Sequence, residues 1–299
     1  MTLSNIKYKK VTLPNGETIA YQERDGGEHK VLLIHGNMTS SKHWDLILEQ
    51  MDSKFKIYAV DMRGFGQSSY RHGIQSIKDF SDDIKGVVDA IGLNDFSIIG
   101  WSTGGAVGMQ FVADYPGYCS KLVLLASAST RGYPFYGVNE NGQPDLTKRL
   151  STYEQIKIDP IRAIPIQHAY NTKNYPFLQE VWNATIYTKN RPNEDKYREY
   201  VEDMLTQRNL AEVYHSLNTF NISNKHNGLI EGNGLVDNIK LPVLVLRGDR
   251  DFVITERMAQ EIVEDIGNYA RFVELKDCGH SPLIDDLDQL LQVISEFLK

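Results

Sequence analysis

Ser102 stands at the centre of Gly100-Trp101-Ser102-Thr103-Gly104. Glycines two positions before and two after a serine let the backbone turn sharply there, because a side chain at either flank would clash. The apolar run at 96–99 and the helical periodicity over 103–115 supply the strand and helix that a nucleophile elbow requires. A serine hydroxyl is a weak nucleophile until an imidazole accepts its proton. That imidazole in turn needs a carboxylate to fix its tautomer and balance its charge. The chain offers the imidazole in Asp277-Cys278-Gly279-His280-Ser281-Pro282 and the carboxylate in Arg247-Gly248-Asp249-Arg250-Asp251. Asp249 and Asp251 share one turn, and residue type alone allows either. Helix N-capping is the plainer use of a serine at such a position. The flanking glycines and the two partner stretches favour acyl transfer instead.

These groups need elements to hold them. The continuous apolar run at 31–34 reads as a strand covered on both faces, and similar runs recur at 57–60, 96–99, 122–125, 243–246 and 270–273. Helical periodicity over about 42–51, 77–91, 103–115, 255–266 and 286–298 alternates with them, which predicts a mostly parallel sheet with helices on both faces. A hairpin is expected where 11–13 and 18–21 flank Pro14-Asn15-Gly16. Ser102, the acidic turn and His280 each follow a predicted strand, at the edge where open α/β sheets build their sites. The alternation stops over 130–239, a stretch rich in tyrosine, asparagine and proline with helical segments at 193–205 and 210–220. This predicts a helical cap inserted into a core made of 1–129 and 240–299.

Composition narrows the function classes. The 299 residues carry 32 basic and 39 acidic side chains, a net charge of −7, which argues against nucleic acid or an anionic membrane as partner. No apolar run is long enough to span a bilayer, so membrane insertion is not expected. Residues 1–10 lack the apolar stretch of a signal peptide. With only Cys119 and Cys278, far apart, a disulfide scaffold is excluded and a cytoplasmic setting is expected. No HExxH, CxxC pair or P-loop occurs, so neither metal nor nucleotide cofactor is expected.

His35-Gly36-Asn37, Asp61 to Ser68, Gly100 to Gly105, Gly248 to Asp251 and Gly279-His280 together resemble the α/β-hydrolase superfamily, from the hairpin to the last helix. The resemblance implies the α/β-hydrolase fold, with Ser102 as nucleophile, His280 as base and, by the spacing after Gly248, Asp251 rather than Asp249 as the acid. It also implies an oxyanion hole from the backbone N–H groups of Asn37 and Thr103; losing one such donor typically costs ~3–4 kcal/mol. His35 precedes the nucleophile and belongs to the oxyanion loop, which makes it structural. Relatives that cleave carbon–halogen bonds or epoxides use an aspartate nucleophile and are set aside by the serine.

The expected activity is cofactor-independent hydrolysis of a carboxylic ester or lactone, with a small molecule as the partner. Its pocket would draw on Trp101, Tyr133 and Trp182, and on further cap aromatics Phe135, Tyr136, Tyr170, Tyr175, Phe177 and Tyr187. The same triad in this superfamily also cleaves carbon–carbon bonds of vinylogous diketones. That reaction calls for a cation to hold the substrate carboxylate, and Arg131, Arg162 and Arg191 are the candidates. A non-catalytic ligand receptor on the same fold is the alternative of a different class. The oligomeric state is not fixed by the sequence.

Overall fold

A computed structural model describes residues 6–299. The first five residues, on which part of the expectation about the N-terminus falls, lie outside the described residues. Eight strands form one sheet in the order β1 (Ile6–Thr12), β2 (Thr18–Arg24), β4 (Phe55–Val60), β3 (His29–Ile34), β5 (Phe96–Trp101), β6 (Cys119–Leu125), β9 (Val243–Gly248) and β10 (Ala270–Leu275). The hairpin β1–β2 pairs antiparallel to β4, and every other neighbour in this sheet is parallel. This is the α/β-hydrolase fold.

Period-two alternation along the buried strands sorts their side chains onto two cores. Leu32, Ile34, Ile98, Leu122 and Leu124 face one core, covered by α2 (Ile77–Ala90), α3 (Thr103–Asp114) and α9 (Glu256–Ile266). Val31, Leu33, Ile99, Trp101, Val123 and Leu125 face the other. There α1 (Asp45–Gln50) and α11 (Leu287–Phe297) supply Ile47, Leu48, Leu290 and Ile294. The short helix α10 (Pro282–Asp285) bridges from the His280 loop into α11.

Between β6 and β9 the chain makes a small antiparallel hairpin, β7 (Tyr136–Val138) and β8 (Pro144–Arg149). Five helices follow: α4 (Tyr153–Lys157), α5 (Ala163–Thr172), α6 (Tyr175–Thr185), α7 (Glu194–Met204) and α8 (Leu210–Asn218). Helices α7 and α8 lie within the segments whose periodicity marked them. The hairpin was not expected, although Asn141-Gly142 at its tip is a turn signal; the Asn139 N–H bonds the Gln143 carbonyl at 2.8 Å. The insertion shares both cores. Ile156 of α4 and Val213 and Leu217 of α8 join the first, while Ile166, Leu178, Trp182 and Val201 join the second.

Two buried polar clusters fix the loops at the carboxyl edge of the sheet. Arg63 holds Asp83 of α2 through two bonds, Nε to Oδ2 at 2.7 Å and Nη2 to Oδ1 at 2.6 Å. Asp61 accepts from the Ser41 N–H at 2.9 Å and the Gln67 N–H at 2.8 Å, tying the loop after β4 to the loop after β3. The stretch 61–68 is thus a structural brace. His35 is fully buried beside it, bonded to the Gly36 carbonyl through Nδ1 at 2.7 Å and accepting from the Met62 N–H at Nε2, 3.0 Å away.

Burial lowers the His35 pKa from 6.5 to about 4. The unfolded chain therefore binds a proton here at a pH where the folded chain does not. The resulting stability is complete above pH 6.5 and is lost as the pH falls toward 4. Urea unfolding of wild type and His35→Gln across this range checks the effect. The acid-dependent loss is expected to be smaller in the variant by about 3 kcal/mol, and parallel profiles would exclude it.

Candidate active site

Strand β5 runs straight into Ser102, whose backbone has φ 55° and ψ −116°. A non-glycine residue at such a φ stores strain of about 1–3 kcal/mol and persists only where its surroundings over-determine it. The surroundings here are backbone. A Cβ on Gly100 would lie 2.3 Å from the Gly104 carbonyl oxygen, and one on Gly104 would lie 2.1 Å from the Ile34 carbonyl oxygen. Only glycine permits β3, β5 and the start of α3 to approach this closely. Ser102 occupies the N-cap position of α3, yet its hydroxyl makes no capping bond. Among the described residues that hydroxyl has no hydrogen-bond partner, which leaves it free for chemistry.

The loop after β10 presents His280. Its Nδ1 lies 3.0 Å from Asp251 Oδ2 and 3.2 Å from Oδ1. An ionised carboxylate only accepts, so Nδ1 carries the proton and Nε2 is left as the acceptor. Both residues are buried, His280 at 3% and Asp251 at 4% exposure. Asp251 Oδ1 also accepts from the N–H groups of Val253 and Ile254, at 2.8 and 2.9 Å, so the carboxylate is held from behind. Arg247 closes that loop by donating to the carbonyls of Ile254 and Asp251. Asp249, the rival acid, accepts instead from the Cys278 N–H at 3.2 Å and serves the turn. His35, the rival imidazole, has partners at both nitrogens and no lone pair to offer.

A cavity of about 270 Å³ lies over the elbow. Ser102, Thr103, Asn37 and His280 form one wall. Thr103 opens α3 and Asn37 follows β3 in the loop, and neither backbone N–H has an acceptor among the described residues. The opposing wall comes largely from the insertion and is apolar, with Phe135, Ile161, Ile166, Val181, Trp182 and Leu217. Tyr133 and Tyr214 also line it, and burial raises the pKa of both phenols, which stay neutral.

Trp101 stands outside the lining. Its indole is buried in the second core, edge-on to Trp44 at 6.1 Å between centroids, and its Nε1–H donates to the His280 carbonyl at 2.9 Å. It supports the imidazole loop from beneath. Tyr136, Tyr170, Tyr175, Phe177 and Tyr187 are also absent from the cavity wall. Tyr214 and Leu217 were not assigned to the pocket from sequence. Their spacing of three on α8 was the available signal, since it puts them on one helix face.

Of the three arginines considered as substrate anchors, Arg131 is engaged by Glu261, Glu264 and Asp265 and does not line the cavity. Arg191 is exposed and also lies elsewhere. Arg162 does reach the cavity, with its guanidinium 5.0 Å above the Phe135 ring, but its Nη2 is 2.6 Å from Asp159 Oδ2. That buried carboxylate neutralises it. Among the described residues no group of three or more His, Cys, Asp or Glu side chains is arranged to hold a metal ion, and no helix is long and apolar enough to cross a membrane.

Comparison with known proteins agrees with the fold. A family model described as the alpha/beta hydrolase fold matches residues 30–287. The chain is 23% identical over 285 residues to a 2-hydroxy-6-oxononadienedioate/2-hydroxy-6-oxononatrienedioate hydrolase of Paraburkholderia phymatum, covering 94% of this chain and 90% of that protein. It is 24% identical over 299 aligned residues to Lipase 1 of Psychrobacter immobilis, covering 96% of this chain and 82% of that one. Among solved structures, an esterase from Exiguobacterium antarcticum superposes with a TM-score of 0.74 at 15% identity, covering 98% and 99% of the two chains. With its sheet order, its elbow and a family match over most of its length, the chain belongs to the α/β-hydrolase family and is an enzyme of that class.

Proposed function

We propose that the protein is a serine hydrolase of neutral carboxylic esters or lactones, working through an acyl-enzyme on Ser102. The observation that carries this is the single cavity shared by the strained serine, the Asp251-held imidazole and two backbone N–H groups without acceptors. Residues 130–239 act as a cap on a core of 1–129 and 240–299, supplying most of the apolar wall.

The reaction follows from the donors and acceptors present. Ser102 Oγ attacks the substrate carbonyl carbon while His280 Nε2 takes its proton. Asp251 stays ionised and balances the imidazolium through Nδ1–H. The carbonyl oxygen gains negative charge and accepts from the Asn37 and Thr103 N–H groups; the positive end of α3 adds to the field. Collapse of the tetrahedral species expels the alkoxide, which leaves with the proton from His280 Nε2. Water then attacks the acyl-enzyme with Nε2 as base, releases the acid and restores Ser102.

The wall favours an uncharged acyl chain. A substrate carboxylate would have to compete with Asp159 for Arg162, and no other arginine or lysine lines the cavity among the described residues. The alternative, hydrolysis of a carbon–carbon bond in a carboxylated dienone, is favoured by the likeness to the Paraburkholderia protein and opposed by this neutral pair.

Initial rates of p-nitrophenyl butyrate hydrolysis test the assignment. Ser102→Ala is expected to lose about 10³-fold or more, and equal rates in the two proteins would remove Ser102 from the mechanism. Asp251→Asn should also fall by roughly 10³-fold or more, whereas Asp249→Asn should remain within about tenfold of wild type. Reversal of those two effects would transfer the acid role to Asp249. The acyl preference is checked by comparing p-nitrophenyl butyrate with the p-nitrophenyl monoester of succinic acid. The charged chain is expected to be poorer in kcat/KM by on the order of 100-fold. A preference for the succinyl ester that disappears in Arg162→Met would support the carboxylated substrate instead.

A further inference from the structure

The five-residue link 205–209 between α7 and α8 is braced against two loops of the core. Thr206 Oγ1 accepts from the Gly66 N–H at 2.8 Å, and the Arg208 N–H donates to the Gly64 carbonyl at 2.9 Å. Asn209 Nδ2 donates to the Arg63 carbonyl at 2.8 Å. These contacts grip the brace after β4. Gln207 is different, because it reaches the loop after β3 that carries Asn37.

Its carboxamide is buried at 4% exposure, and all of its hydrogen-bonding capacity is used. Oε1 accepts from the Met38 N–H and the Tyr170 hydroxyl, both at 3.2 Å. Nε2 donates to Asn37 Oδ1 at 2.7 Å and to Asn209 Oδ1 at 3.2 Å. A flipped amide would set its NH₂ against the Met38 N–H, so the arrangement has one sense. Met38 has a backbone φ of 59°, a left-handed conformation that a methionine does not adopt unless it is held. The group that satisfies the Met38 N–H is Gln207, and the same amide grips the Asn37 side chain. The Asn37 side chain and the peptide that joins Asn37 to Met38 are therefore held from the insertion, 170 residues away along the chain.

We propose that Gln207 is a positioning residue that aims the Asn37 N–H at the developing oxyanion, so that the insertion contributes to the rate as well as to the pocket wall. This rests on Asn37 being an oxyanion donor. Without the amide, Met38 can relax toward an ordinary φ, the Asn37–Met38 peptide tilts, and Asn37 with its own N–H is released to turn. A donor aimed even slightly wrong stabilises the transition state less, while binding of the planar ester is little affected.

Gln207→Met keeps the length and volume without the hydrogen bonds, and Gln207→Glu keeps an acceptor for Met38 while losing the donor to Asn37. For p-nitrophenyl butyrate, Gln207→Met is expected to lower kcat by roughly 10- to 100-fold with KM within about threefold, and Gln207→Glu to fall between it and wild type. Affinity for a propyl trifluoromethyl ketone, which forms a tetrahedral oxyanion on the serine, should fall by the same factor as kcat/KM. Affinity for an unreactive butyramide should not change. If kcat is retained in Gln207→Met, or if ketone and amide weaken equally, the residue is cap mortar only and the proposal is wrong. Ser102→Ala separates the two levels. Loss of turnover and of ketone binding in Ser102→Ala beside a normal Gln207→Met overturns the positioning role alone. Full activity in Ser102→Ala overturns both it and the hydrolase assignment.

Discussion

The close approach of three backbone segments around Gly104 is the constraint on which the site depends. Strand β3, the end of β5 and the first turn of α3 meet where no Cβ fits. That contact forces Ser102 to a positive φ and frees its hydroxyl from helix capping. It also brings the loop after β3 against the serine: a Cβ on Gly36 would lie 3.1 Å from Ser102 Cβ. This packing places Ser102 beside the loop that carries Asn37, and Gln207 then holds Asn37 within that loop. The cost of the strained serine is borne by the buried sheet, whose apolar strands pack on both faces.

The insertion supplies most of the apolar lining over this edge. Its hydrophobic side chains join both cores, so it is anchored by burial as well as by the polar link 205–209. Neutrality is built in by pairing. Asp159 balances Arg162, Asp251 faces the imidazole, and burial keeps Tyr133 and Tyr214 protonated. An apolar chamber with few unbalanced charges strengthens the interactions that remain, which are the two N–H groups and the imidazole.

Much of this architecture was legible in the sequence because local rules carried it. Alternating apolar runs and helical periods defined the sheet, and paired glycines marked the turn at Ser102. Residues at strand ends pointed to His280 and to the acidic turn. Local rules stopped at Asp249 and Asp251, where both residue types fit; the N–H groups of Val253 and Ile254 are what draw the Asp251 carboxylate to its position. Trp101 shows a parity that was available but unused, since it shares a strand face with Ile99 and must enter the same core. The β7–β8 hairpin was hidden by polar strands with no buried face. Gln207 left no trace at all, because its partners at Asn37 and Met38 are joined to it only by the tertiary fold.

The central claim is that Ser102 carries the acyl group. Acid-quenching the protein during turnover of p-nitrophenyl butyrate, followed by peptide mass spectrometry, tests it most directly. The account predicts one butyryl group on the peptide containing Ser102, and none in Ser102→Ala. An acyl group on any other residue, or turnover in Ser102→Ala with no adduct, would contradict it.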